Sequence, residues 1–111
     1  MVDPKLEQEI ELLHQRVCPA LGDPKRLLIL YALAEGPLCV NELSDALDLS
    51  QPTVSRHLRV LRERGLVNTE RSGTAIYYSL VDRRLIQAVD LLRGVLQSQI
   101  AADARVAEAL A

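Results

Sequence analysis

Apolar residues recur at three- and four-residue spacing along most of the chain. Leu6, Ile10, Leu13 and Val17 mark a first amphipathic helix. It should stop before Pro19, since the residue ahead of a proline disfavours helical geometry. A second helix is expected from Asp23 as cap and Pro24 at its first position, with Leu27, Leu28, Leu30, Tyr31 and Leu33 along it and Gly36-Pro37 closing it. A third, short one runs from about Val40 to Leu47 with Leu43, Ala46 and Leu47 inward, and Asp48-Leu49-Ser50 turns the chain into a fourth. Ser50 is a good N-cap and Pro52 falls in the first turn, where its missing N–H costs nothing. Val54, Leu58 and Leu61 then form the buried stripe, and Gly65 ends the helix.

After Gly65 the period shortens to that of strands. Residues 66–71 and 74–80 are rich in β-branched and aromatic side chains and flank Ser72-Gly73, which reads as a hairpin. Asp82 caps a last helix with Leu85, Ile86, Val89, Leu92, Leu96 and Ile100 on one side. The expected fold is mainly α with a small β-hairpin: a winged helix-turn-helix in the order four helices, two strands, one helix. One domain spans residues 1–111, with the helix-turn-helix at 40–64 and the wing at 66–80. The apolar faces of the segments 1–18 and 82–102 exceed what one small chain covers, so these helices should form a homodimer.

The polar face of the fourth helix carries the chemistry. Gln51, Thr53, Ser55, Arg56, His57 and Arg59 offer hydrogen-bonding and cationic groups that suit base edges and phosphates in a major groove. Arg71, at the wing tip beside Gly73, would reach the minor groove or the backbone. The formal net charge of −2 argues against a nucleic-acid partner, but its distribution reverses that reading. Between Gln51 and Ala75 five arginines stand against two glutamates, whereas Asp3, Glu7, Glu9 and Glu11 outweigh Lys5 and Arg16 in the first helix. Lys25 and Arg26 could reach phosphate or form a solvated face.

With 111 residues, 49% of them apolar and only 3% aromatic, the core should be modest and aliphatic. No apolar run approaches the roughly 18 residues of a membrane span and the start is acidic, so a cytoplasmic protein with reduced cysteines is expected. No phosphate loop, paired nucleophile or inward carboxylate cluster suggests an enzyme.

Three segments, LGDPKRLLILYAL (21–33), LSDALDLSQPTVSRHLRVLRERGLV (43–67) and RSGTAIYYSL (71–80), resemble the ArsR/SmtB winged-helix repressors. The resemblance implies a homodimer built through the first and last helices that binds an inverted-repeat operator in double-stranded DNA and leaves it when an effector binds. By position, Gln51, Thr53, Ser55, Arg56 and His57 match the family's reading-helix contacts, and Arg71 and Gly73 its wing. Metalloid and soft-metal sensors carry cysteines at the positions of Cys39 and Asn41, of which only the first is present here. Zinc sensors use the last helix; Asp82 matches one ligand, but Arg84, Val95 and Ser98 stand where others would be, so that site is not expected.

Cys39 also occupies the cap position of a Cys-x-x-Glu sequence, where Ser or Thr caps better by about 1 kcal/mol. At the positive end of a helix a thiol gains reactivity, although Glu42 acts oppositely. The other reading is a small residue packed under the second helix. The resemblance also allows Cys18 to complete a site with Cys39, for As(III) or another thiophilic ion, or for a redox or persulfide switch. A repressor with no metal effector, or an interaction module on the same scaffold, remains open.

Overall fold

The structure, a computed structural model, describes residues 2–111. Its elements are α1 (Pro4–Arg16), α2 (Cys18–Leu21), α3 (Pro24–Leu33), β1 (Leu38–Cys39), α4 (Val40–Leu47), α5 (Gln51–Glu63), β2 (Val67–Ser72), β3 (Ala75–Leu80) and α6 (Arg84–Leu110). Caps explain most of the starts. The side chains of Asp3, Asp23 and Ser50 accept from the backbone N–H groups of Lys5, Lys25 and Thr53, and each of these helices carries a proline in its first turn.

The architecture departs from expectation in three places. The first helix does stop before Pro19, at Arg16, but Pro19 then sits in the first turn of an unexpected separate helix, α2, where a proline needs no N–H partner. Leu38 and Cys39 pair with Tyr78 and Tyr77, so the hairpin becomes a three-stranded antiparallel sheet in the order β1-β3-β2. Two residues are too few to display a strand period, and tertiary pairing creates β1. Finally, α6 runs to Leu110 instead of ending near residue 102, since nothing in its alanine-rich tail breaks a helix.

The core gathers Ala20 from α2, Ile29, Leu30 and Leu33 from α3, Leu43 from α4, Val54, Leu58 and Leu61 from α5, and Leu66 and Val67 at the entry to the sheet. The helix-turn-helix bend depends on Asp48, which adopts φ 53°, a left-handed conformation that Asp tolerates better than most residues. Beside it the Ser44 hydroxyl donates to the Leu49 carbonyl, and the Leu49 N–H donates to Ser44 O. Helix α5 closes in a Schellman motif: Gly65 takes φ 77°, its N–H donates to Arg62 O, and the Leu66 N–H donates to Leu61 O at 2.9 Å.

Helices α1 and α6 stand outside this core. Helix α1 buries no residue and α6 only Val89. Helix α6 is tied to α3 by the Tyr31 hydroxyl, which donates to Asp90 Oδ1 at 2.6 Å, and by Arg93, 3.1 Å from the same oxygen and 5.3 Å over the Tyr31 ring. No helix among the described residues is long and apolar enough to cross a membrane.

Candidate nucleic-acid interface

Helix α5 divides sharply into two sides. Val54, His57, Leu58 and Leu61 are buried, while Gln51, Ser55, Arg56, Arg59 and Arg62 are exposed and Thr53 lies half-buried between them. Thr53 is engaged at the helix start, where its hydroxyl accepts from Ser50 Oγ at 2.8 Å. Because the core holds one side of α5 rigidly, Gln51, Ser55, Arg56 and Arg59 form a fixed polar ridge.

His57 does not belong to that ridge. Its side chain is 6% exposed, and Arg26 Nη1 approaches its Nδ1 at 3.3 Å. The placement of His57 among the groove-facing residues is therefore corrected. It lies three residues after Val54 and four before Leu61, which is the spacing of the buried stripe itself. Burial is the main cause holding its pKa below the ordinary histidine value; Asp23 opposes this, and Arg26, Arg56 and Lys25 reinforce it. Arg26 is correspondingly half-buried and held by backbone carbonyls, not a freely solvated cation. Its Nε donates to Ala20 O at 2.7 Å and its Nη2 to Pro19 O at 3.0 Å.

The wing is the second cationic element, through Arg71. Strands β2 and β3 pair from Val67↔Leu80 to Ser72↔Ala75, leaving Gly73-Thr74 as a two-residue turn. Gly73, at its first position, has φ 63°, as a type II′ turn requires. Arg71, Ser72, Gly73 and Thr74 are all exposed. The ion pairs among the described residues are Arg84 with Asp82 and Arg93 with Asp90. The guanidinium groups of Arg56, Arg59, Arg62 and Arg71 thus carry no carboxylate partner and are available to phosphates.

The two cysteines are both free thiols, Cys18 exposed and Cys39 half-buried. Cys39 is the N-cap of α4, and its backbone N–H donates to Glu42 Oε1 at 3.1 Å, one half of the anticipated capping box. It lines an open cleft of about 370 Å³ with Val40, Asn41, Thr74, Ala75, Ile76 and Tyr78, between α4 and the wing. Cys18 is not part of that lining. Among the described residues no group of three or more Cys, His, Asp or Glu could hold a metal ion. Asp82 is engaged by Arg84, whose Nη2 lies 2.7 Å from Oδ2; that hydrogen-bonded pair lowers the Asp82 pKa to about 2.

Comparison with known proteins places these features. Residues 23–69 match the sequence signature described as bacterial regulatory protein, arsR family. An HTH-type transcriptional regulator of Methanocaldococcus jannaschii is 43% identical over 66% of this chain and 83% of its own length. The HTH-type transcriptional repressor SmtB of Mycobacterium tuberculosis is 46% identical over 63% of this chain, a stretch that spans only 52% of that repressor. In three dimensions, a homodimeric winged helix-turn-helix DNA-binding domain from Mycobacterium bovis superposes with a TM-score of 0.71 at 29% identity, covering 90% of this chain and 91% of that one.

Proposed function

This chain belongs to the ArsR family of bacterial regulatory proteins, whose members are DNA-binding transcriptional regulators and not enzymes, and from that premise we propose an operator-binding repressor that acts as a homodimer in the cytoplasm. The observation that carries this reading is the ridge of Gln51, Ser55, Arg56 and Arg59 on α5, free of carboxylate partners and backed by the buried stripe. Two such ridges, one per subunit, would read the half-sites of an inverted repeat, with Thr53 at the helix start and Arg71 and Gly73 at each wing on the flanking backbone. Regulators of this family need no cofactor, so an added ion would act as an effector.

Release follows from Cys39. The cleft beside it is bounded by the first residues of α4 and by the wing, so a group bound to its sulfur presses on both parts of the DNA-binding unit. We assign the effector to a thiophilic species, arsenite or a related metalloid, bridging Cys39 and the partner subunit's Cys18. A hundredfold weakening requires that the effector favour the non-binding conformation by about 2.7 kcal/mol. The cleft contributes no second sulfur, imidazole or carboxylate, and this favours as second reading a two-thiol switch. There the two thiols would lose two electrons and two protons to an oxidant such as a peroxide, forming one disulfide.

Fluorescence anisotropy with the DNA immediately upstream of the protein's own gene separates these readings. Binding by the reduced protein that is lost with arsenite but not with mild oxidation supports the metalloid sensor. The reverse pattern supports the redox switch, and unchanged binding leaves a repressor whose cysteines serve packing.

A further inference from the structure

The cluster around Arg26 lies behind the reading ridge and is not used by it. Arg26 starts on α3, grips two carbonyl oxygens of α2 through Nε and Nη2, and presents Nη1 to His57 Nδ1. A guanidinium has donors and no acceptor, so the contact exists only when Nδ1 carries no proton. His57 therefore meets Arg26 as a neutral imidazole. A second proton would set N–H against N–H and bring two positive charges about 3.3 Å apart, the imidazole buried and the guanidinium half-buried.

We infer that Arg26 and His57 are positioning residues that set α5 against the α2–α3 corner, and that protonation of His57 breaks this contact and weakens DNA binding. The inference rests on the operator-binding reading above. His57 is one residue from Arg56 and two from both Ser55 and Arg59, so a shift of the helix at His57 moves all three groove-facing groups together. Bidentate and phosphate contacts tolerate little displacement. The charged groups that act on the imidazole are Asp23, the N-cap of α3, Lys25 and Arg26 on α3, and Arg56 from α5 itself. Three of these are cations and disfavour its protonation, and Asp23 is the one anion. Helix α2 contributes only the Pro19 and Ala20 carbonyls, already occupied by Arg26.

The sign separates this role from direct contact. A histidine facing phosphate binds more tightly when protonated, so affinity would rise on acidification. A histidine held neutral behind the ridge predicts the opposite. The experiment is operator anisotropy at constant ionic strength from about pH 7.5 to about pH 5.5, with circular dichroism at each pH to show that the protein stays folded. The expected result is a Kd that rises about tenfold for the wild-type protein and for His14→Gln, which removes the exposed histidine. For His57→Gln, whose amide oxygen still accepts from Arg26 without titrating, the Kd should stay within about twofold. Affinity in the folded wild-type protein that rises or stays level on acidification would overturn the inference, whether or not the His57 variant folds. So would a His57→Gln protein that keeps the full pH response. No binding at any pH would overturn the DNA-binding reading and this inference with it.

Discussion

Arg56 and His57 are neighbours in the chain with opposite surroundings, and the difference defines what each substitution tests. Arg56 and Arg59 are exposed and unpaired, so replacing either with Ala should leave the melting temperature nearly unchanged. Operator affinity should fall: by about 1–3 kcal/mol with relaxed sequence preference where the arginine reads a base, or with a salt slope smaller by about 1 where it meets phosphate. A titration series at several salt concentrations distinguishes the two. His57 is buried neutral, and its lowered pKa makes it a stability term with a definite sign. The unfolded chain takes up this proton first as pH falls below about 6.5, so the contribution is full above that value and is lost progressively on acidification. Urea midpoints at neutral and mildly acid pH should fall in the wild type more than in His57→Gln. Cys39→Ser has a double signature. Serine caps a helix better than cysteine, so α4 should gain up to about 1 kcal/mol while any thiol-dependent release from DNA disappears. A Cys39→Ser protein still released by arsenite would remove Cys39 from the effector site.

Among the elements, the wing and the helix-turn-helix owe their shapes to different forces. The hairpin turn depends on local chemistry: Gly73 at φ 63° has open space around its missing side chain, so Gly73→Val adds backbone strain without a clash. We expect a loss of about 1–2 kcal/mol in wing pairing and weaker operator binding, read from denaturation midpoints and anisotropy. Helix α5 depends on packing. Leu58 is fully buried among residues of the central core, and Leu58→Ala should cost about 2–5 kcal/mol by leaving a cavity. Truncating it would cost DNA binding through lost structure, which circular dichroism reveals, whereas the wing variant should stay helical.

At the scale of the whole molecule the single chain is conspicuously incomplete. Its radius of gyration is 17.6 Å, against about 13 Å for a compact domain of this length, and its extents are 59 × 44 × 21 Å. The excess comes from α1 and α6, whose apolar side chains face outward: Leu6, Ile10 and Leu13 on α1, and Leu91, Leu92, Val95, Leu96 and Ile100 on α6, with Leu92 66% exposed. A second copy that buried both helices would complete the core in the manner of an obligate dimer. Leu92→Glu or Leu96→Glu should shift sedimentation from dimer to monomer and abolish operator binding, while each monomer keeps its helix-turn-helix. A monomer that still bound the full operator as tightly would exclude a dimer as the binding unit.

Much of this was legible in the sequence because it is local. Caps such as Asp23 and Ser50, the prolines behind them, the stripe of Val54, Leu58 and Leu61, and Gly65 act within a few residues, and they place α3, α4 and α5 correctly. The ridge of Gln51, Ser55, Arg56 and Arg59 follows from the same period. The period also contained the burial of His57, between Val54 and Leu61, but its chemistry suggested a groove contact. What no local rule contained was the occupant of that buried position: Arg26 reaches His57 across 31 residues of chain, and only the docking of α3 on α5 brings them together. Strand β1 is a similar case, since Leu38 and Cys39 acquire extended pairing solely from β3. The sequence by itself determined α3, α4, α5 and the hairpin of β2 and β3, with their apolar faces and the cationic ridge, because those depend on spacing along one helix or strand. The tertiary structure decided which polar side chains were free for DNA and which were consumed inside, because that depends on distances between elements that the chain folds together.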